Sequence, residues 1–274
     1  MDFAEAIKKE GERRRFSPRT IEAYQSCLEV FFRQNNKPIN EITKKDVRDF
    51  LDNLIEKGKA GGTIHVYLNA LKFYFEECLG RKFRLDIKYC KKPLRLPEVL
   101  TKEEIGGIIN AIRNPKHKLM ISLLYGAGLR VSELLNLKVG QINLDNKYGF
   151  IRHGKGNKDR IFILPDKIIL DLKELILIEK LSNEDYLFLT NRRERYSART
   201  IAEIIKKACR STGIKRKIHP HTMRHSFATH LIENGSSVSE VQSLLGHKSP
   251  ETTMIYVHLA KPNMLKVKSP LDSL

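Results

Sequence analysis

The 274-residue sequence has no tryptophan, few glutamines and only four cysteines. Cys27, Cys78, Cys90 and Cys209 are widely scattered and form no Cys-x-x-Cys pair, which argues against zinc knuckles and a disulfide framework. No apolar run approaches the roughly 20 residues that cross a bilayer; Leu175-Ile176-Leu177-Ile178 is among the longest. The N-terminus carries an early acid at Asp2 and no apolar stretch, unlike a signal peptide. No internal repeat or low-complexity tract is visible. The expectation is a cytoplasmic protein. Acidic residues are also in short supply: 32 Asp+Glu face 50 Lys+Arg, a formal net charge of +18. Ion-pair networks of the thermophile kind would balance the signs, and this surface does not. Such a chain is expected to meet a polyanion, whether DNA, RNA or an anionic membrane. Residues 1–90 hold 18 Lys+Arg against 14 Asp+Glu, and the remainder 32 against 18, so most of the surplus lies late. Abundant Lys, Glu and Ile with few Gln hint at a thermophilic source.

What is present is mostly helix. Ser17-Pro18 is a cap followed by proline at the first helical position, and Ile21, Tyr24, Leu28 and Phe31 recur behind it at helical spacing. Thr43 with Asp46 opens another helix, through Val47, Phe50, Leu51 and Leu54. Gly61-Gly62 breaks the chain, and Thr63 opens a third pattern through Val66, Leu68, Leu71, Phe73 and Phe75. With a short helix over 2–14, residues 1–87 read as a bundle of about four helices. Residues 88–100, basic and holding Pro93 and Pro97, read as a linker. Thr101 and Glu104 form a capping box that opens a second domain over 101–259. There the pattern predicts helices over 101–112, 116–125, 131–137, 166–180, 197–212, 221–234 and 237–245. Between Ile142 and Leu164 the period shortens: 150–152 and 160–164 read as strands, with Gly154-Lys155-Gly156-Asn157 as their turn. The tail, 260–274, has no clear period. The fold class is therefore mainly α with a small β insert (α+β).

Several residues suit the cleavage of a phosphodiester without metal. That reaction needs cations for the non-bridging oxygens, a nucleophile, and an acid for the leaving oxygen. Arg130, after Gly126-Ala127-Gly128-Leu129, and Arg224, in His221-Thr222-Met223-Arg224-His225, are candidate clamps, because a guanidinium binds two oxygens at once and keeps its charge. Read alone, Arg130 is better taken as a surface arginine of a basic protein. Glu133, one turn on, either holds Arg130 or is a solvated helix charge. Lys155 at a hairpin tip can donate a proton to a departing oxygen, with Lys158 as second choice. His221 stands one turn from Arg224, so both can face one phosphate, and it can share protons with the tyrosine because an imidazole titrates near working pH. His221 and His225 are four apart, as in a zinc helix. However, Thr222 stands where that pattern needs glutamate, so His225 reads as a packing or supporting residue and no metal is expected. His219 and His230 gain no role. His247, after Gly246, is on its own a histidine at a helix C-terminus. Tyr256, in Met254-Ile255-Tyr256-Val257, is on its own a core tyrosine.

Taken together, the Gly-x-Gly-Leu-Arg-x-Ser-Glu-Leu box at Arg130, the His221-x-x-Arg224 pair and the Leu245-Gly246-His247…Tyr256 spacing resemble the tyrosine recombinase (phage-integrase-like) family. Within it they resemble most the Xer site-specific recombinases, including archaeal ones. The resemblance spans nearly the whole chain. It implies a helical, SAM-like core-binding domain over 1–87, a linker, and a catalytic domain over 101–259. It implies a tail, 260–274, that docks on a neighbouring protomer. It implies a catalytic set of Arg130, Lys155, His221, Arg224, His247 and Tyr256. Tyr256 would be the nucleophile of a 3′-phosphotyrosyl intermediate, His247 a donor to the phosphate and Lys155 the acid. No cofactor, metal or ATP is expected. The partner would be double-stranded DNA bearing a specific recombination site, gripped between the two domains and exchanged within a homo-tetramer. The cellular role would be Xer-type resolution of chromosome dimers, and the absence of an additional arm-binding domain favours it. The alternatives are an integrase of a mobile element, a type IB topoisomerase-like enzyme, and a non-catalytic DNA-binding protein on the same fold.

Overall fold

The computed structural model describes residues 2–81, 97–152, 159–246 and 250–259. The chain divides into two compact units, 1–94 and 95–274. Among the described residues no helix is long and apolar enough to cross a membrane.

The first unit is helical. It contains α1 (Phe3–Arg13), α2 (Pro18–Gln34), α3 (Lys44–Glu56) and α4 (Gly61–Lys72). Caps set where the helices start. Asp2 accepts from the Ala4 N–H, Ser17 from the Thr20 N–H, and Thr43 with Asp46 forms a reciprocal capping box. The third pattern begins two residues earlier than its periodicity predicts. Gly61 and Gly62 form the first turn of α4, where the N–H groups lack helical partners in any case and glycine costs least. Past Lys72 the helix widens into a π turn over Phe73–Cys78. Phe73, Tyr74 and Phe75 are all buried there, a run that a regular helix with one buried face does not accommodate. The core sets a cluster of aromatic rings among a majority of aliphatic side chains. Phe31 meets Phe32, Phe50 and Phe75 edge-on, with centroids 5.0–6.2 Å apart, and each such ring contributes about 2–3 kcal/mol by burial.

The second unit is helical around a three-stranded antiparallel sheet. Its elements are α5 (Lys102–Asn110), α6 (Pro115–Gly126), α7 (Val131–Leu135), β1 (Ile142–Asn143), β2 (Tyr148–Ile151), β3 (Arg160–Ile163), α8 (Ile169–Ile178), α9 (Ala198–Ser211), α10 (Pro220–Glu233), α11 (Val238–Leu245) and α12 (Pro250–Leu259). The sheet order is β1-β2-β3, with Phe150 opposite Ile161 and Ile151 opposite Arg160. β1, two residues long, is too short to leave a period in the sequence. The predicted turn at 154–157 and the tail at 260–274 lie outside the described residues. The α6 helix is central, packed by α5, α7, α8, α9 and α10, and its Met120, Leu123 and Leu124 are fully buried. The α10 helix is nearly as deep, yet carries polar side chains that must be partnered. Ser226 accepts from the Leu100 N–H at 2.9 Å and donates to the Thr222 carbonyl, while His230 Nδ1 lies 2.9 Å from the Tyr125 hydroxyl. This places His219 at the start of α10 as its cap residue and His230 in the core.

Candidate active site

The site forms where α7, β3, α10, α11 and α12 meet. After α6 the chain turns at Gly128, whose φ of +58° is left-handed and whose missing side chain leaves room for the Phe227 ring. That turn sets Arg130 at the start of α7. Glu133, one turn later, accepts from the Arg130 backbone N–H at 2.8 Å and from the Arg130 Nη1 at 2.6 Å. Glu133 is thus a buried anchor, and the solvated alternative falls away.

The same carboxylate holds two more arginines. Arg160 Nη2 donates to Glu133 Oε2 at 2.6 Å, and Arg224 Nη1 lies 3.8 Å from that oxygen. Arg160 and Arg224 are 8% and 4% exposed, unusual depths for a guanidinium. Both also satisfy the C-terminal carbonyls of α11: Arg160 Nη1 donates to Leu244 O, and Arg224 Nη2 donates to Leu245 O at 2.5 Å. These carbonyls have no helical partners and sit at the negative end of the helix, so cations belong there. Arg224 Nη1 adds a bond to Gly128 O at 2.5 Å. Gly246 closes α11 at φ +60°, where a side chain would press on the Arg160 stem.

The electrostatics follow from this packing. Burial alone would raise the Glu133 carboxyl, but Arg160 and Arg130 outweigh it and hold the group below the ordinary glutamate range. Burial, with Arg130 and Arg160 nearby, pushes Arg224 down to about 9, which leaves it charged at neutral pH. Three guanidiniums around one carboxylate leave the cluster with a net charge of +2. A buried excess of that sign is costly unless an anion completes it.

Tyr256 lies on α12, 2% exposed, packed with Phe227, Val241 and Leu245. Its hydroxyl is 3.0 Å from His225 Nδ1. Burial raises the phenol pKa, partly offset by Arg224 and Arg130. His225 is pushed down to about 4 by burial, by His221 and by Arg224, so it is neutral at working pH. His221 is exposed one turn back along α10, its ring centroid 6.5 Å from that of His225. Among the described residues, no group of three His, Cys, Asp or Glu could hold a metal ion. Thr222, the residue in place of a zinc-helix glutamate, caps α10 by accepting from the His219 N–H at 3.2 Å.

Of the residues singled out from the sequence, Arg130 and Arg224 share Glu133, while His221 and Tyr256 flank His225. Lys155, Lys158 and His247 lie outside the described residues. Two neighbours were not anticipated as members of the site. Arg160 had a visible signal: it occupies an inward position of β3 with Phe162, where the strand alternates buried and exposed. His225 was set aside as a supporting residue, and only the docking of α12 brings the phenol to it.

Residues 98–262 match the phage integrase family, and residues 3–85 match the N-terminal SAM-like domain of phage integrases. A tyrosine recombinase of Thermosipho africanus is 37% identical over 261 residues, covering 90% of this chain and 91% of that protein. A tyrosine recombinase XerA of Pyrococcus furiosus is 37% identical over 269 residues, covering 96% and 90%. The crystal structure of a XerH site-specific recombinase in a post-cleavage complex with palindromic difH substrate has the same fold. Its TM-score is 0.76 at 23% identity, covering 99% of this chain and 85% of that one.

Proposed function

The chain belongs to the phage integrase family of tyrosine recombinases, on its Xer side, and from that premise we propose that Tyr256 cuts and rejoins DNA at a specific site through a 3′-phosphotyrosyl intermediate. The observation that carries this reading is the net +2 arginine cluster lying next to a buried phenol. A phosphodiester is the anion that such a cluster suits. Arg130 and Arg224 would bind its non-bridging oxygens and stabilise the charge that builds in the transition state. The phenol oxygen bonds to phosphorus as the bond to the 5′ oxygen breaks, and that oxygen takes a proton from Lys155. His221, exposed on α10, and His247 complete the contacts to the phosphate. The ester stores the bond energy, so the 5′ hydroxyl of a partner duplex can reverse the step without ATP or metal. Two rounds within a homo-tetramer exchange both strands.

Likeness to proteins named XerA and to a XerH bound to its difH substrate supports a dedicated DNA site and, as cellular role, the resolution of chromosome dimers. The test is supercoiled plasmid incubated with the protein in EDTA without ATP and quenched in detergent. Wild type is expected to relax the plasmid and become attached to a 3′ end, whereas Tyr256→Phe should bind DNA and do neither. Attachment by Tyr256→Phe would move the nucleophile elsewhere. No attachment by wild type, even on a plasmid library of random sites, would leave a non-catalytic DNA-binding protein.

A further inference from the structure

The mechanism above assigns nothing to His225, yet its Nδ1 is 3.0 Å from the oxygen that would attack phosphorus. The two residues are 31 positions apart and meet through the packing of α10 against α12. The rings lie with centroids 5.7 Å apart at 45°, which sets the phenol's direction as well as its distance. Phe227, Val241 and Leu245 pack around the Tyr256 ring and hold it in place.

We propose that His225 is a catalytic residue that aims the Tyr256 hydroxyl through Nδ1 and receives its proton during attack. This rests on the reading of Tyr256 as nucleophile. The imidazole carries its one hydrogen on Nε2, so that Nδ1 is free to accept. As the phenol oxygen bonds to phosphorus its O–H bond breaks, and the proton passes to Nδ1. The bond from phosphorus to the 5′ oxygen breaks in the same step, with Lys155 protonating that oxygen. On rejoining, the imidazolium returns the proton to the phenol. Burial and its cationic neighbours make His225 a weak base. A weak base suffices, because an oxygen bonding to phosphorus becomes strongly acidic, and a weak base also returns the proton readily.

Two measurements test this separately. The first uses the DNA-free protein and histidine-nitrogen NMR at neutral pH. His225 is expected as the Nε2–H tautomer, with an Nδ1 resonance that moves in Tyr256→Phe. An Nδ1–H tautomer would overturn proton acceptance at Nδ1, and a resonance indifferent to Tyr256→Phe would overturn the contact itself. The second is single-turnover cleavage of a plasmid bearing a site captured from a random library by the wild type. His225→Ala should bind that DNA normally and cut it about 100-fold slower or worse. His225→Asn, whose Oδ1 can accept the hydrogen bond but not hold the proton, should fall between the two. His225→Ala cutting at the wild-type rate overturns the role altogether, and His225→Asn matching wild type overturns proton acceptance. A wild type that cuts no DNA overturns the strand-cleavage reading and the role with it, even with the NMR contact intact.

Discussion

The two units treat charge in opposite ways. In the first, ion pairs stay at the surface: Arg33 and Glu29 are 75% and 61% exposed on one helix face. The core beneath is apolar and holds no buried ionised side chain among its described residues. In the second unit Glu133, Arg160 and Arg224 are all buried in one cluster. Surface pairs are worth little, whereas a buried charge costs several kcal/mol unless it is closely partnered. A fold seeking only stability would use the first arrangement throughout. The second unit keeps cations out of water, where the low dielectric strengthens the attraction between opposite charges.

The sharpest way to break this comparison is at the clamps. Arg130→Ala and Arg224→Ala are expected to slow single-turnover cleavage by roughly 10²–10³-fold, about 3–4 kcal/mol of transition-state stabilisation, with DNA affinity far less affected. Affinity falling as much as rate would make these arginines ordinary DNA-binding cations.

Next comes stability. Glu133→Gln leaves Arg160 and Arg224 without their counter-charge and should cost about 3 kcal/mol or more, read as a fall in denaturant midpoint. Arg33→Ala in the first unit should leave the midpoint unchanged within error. Equal effects would erase the distinction between the units.

Acid should separate them more gently. The folded pKa of Glu133 is depressed, so its contribution is fully present above the unfolded value of 4.5 and is lost as pH falls through the folded one. His225 is depressed from 6.5 to about 4; there the unfolded chain binds the proton first, so stability falls as pH drops from 6.5 towards 4. His225→Asn should flatten the stability curve in that upper window, and Glu133→Gln in the window below 4.5. A curve of unchanged slope in either variant would assign the acid response elsewhere.

The smallest expected effect concerns salt. DNA binding should weaken steeply as salt rises, through counterion release by exposed cations of both units. Arg224→Ala, which removes one buried cation, should change the slope of log affinity against log salt by about one unit or less. A much larger change would place the binding energy in the cluster after all.

Local signals in the chain account for most of the fold. Ser17-Pro18, Thr43 with Asp46, Thr101 with Glu104 and Ser237 with Glu240 mark helix starts because the side chain that satisfies an orphan N–H lies within three residues of it. The same locality explains why Arg130 and Glu133 could be paired on paper, and why the motifs around Arg224 and Tyr256 pointed to the family. The π turn at Phe73–Cys78 and the two-residue β1 escaped because a run of buried aromatics and a dipeptide have no period to read.

By itself, then, the sequence determined the helical class, the basic charge, the residue types of the site and the family to which they belong. The tertiary structure alone decided that Glu133 is shared by Arg130, Arg160 and Arg224, that Arg160 is buried against the end of α11, and that His225 meets Tyr256. Those contacts join residues 27 to 91 positions apart, except for the Arg130–Glu133 pair. Burial and proximity of that kind are properties of packed elements: charge and hydrogen-bonding capacity belong to the residue, but the dielectric and the partner belong to the fold.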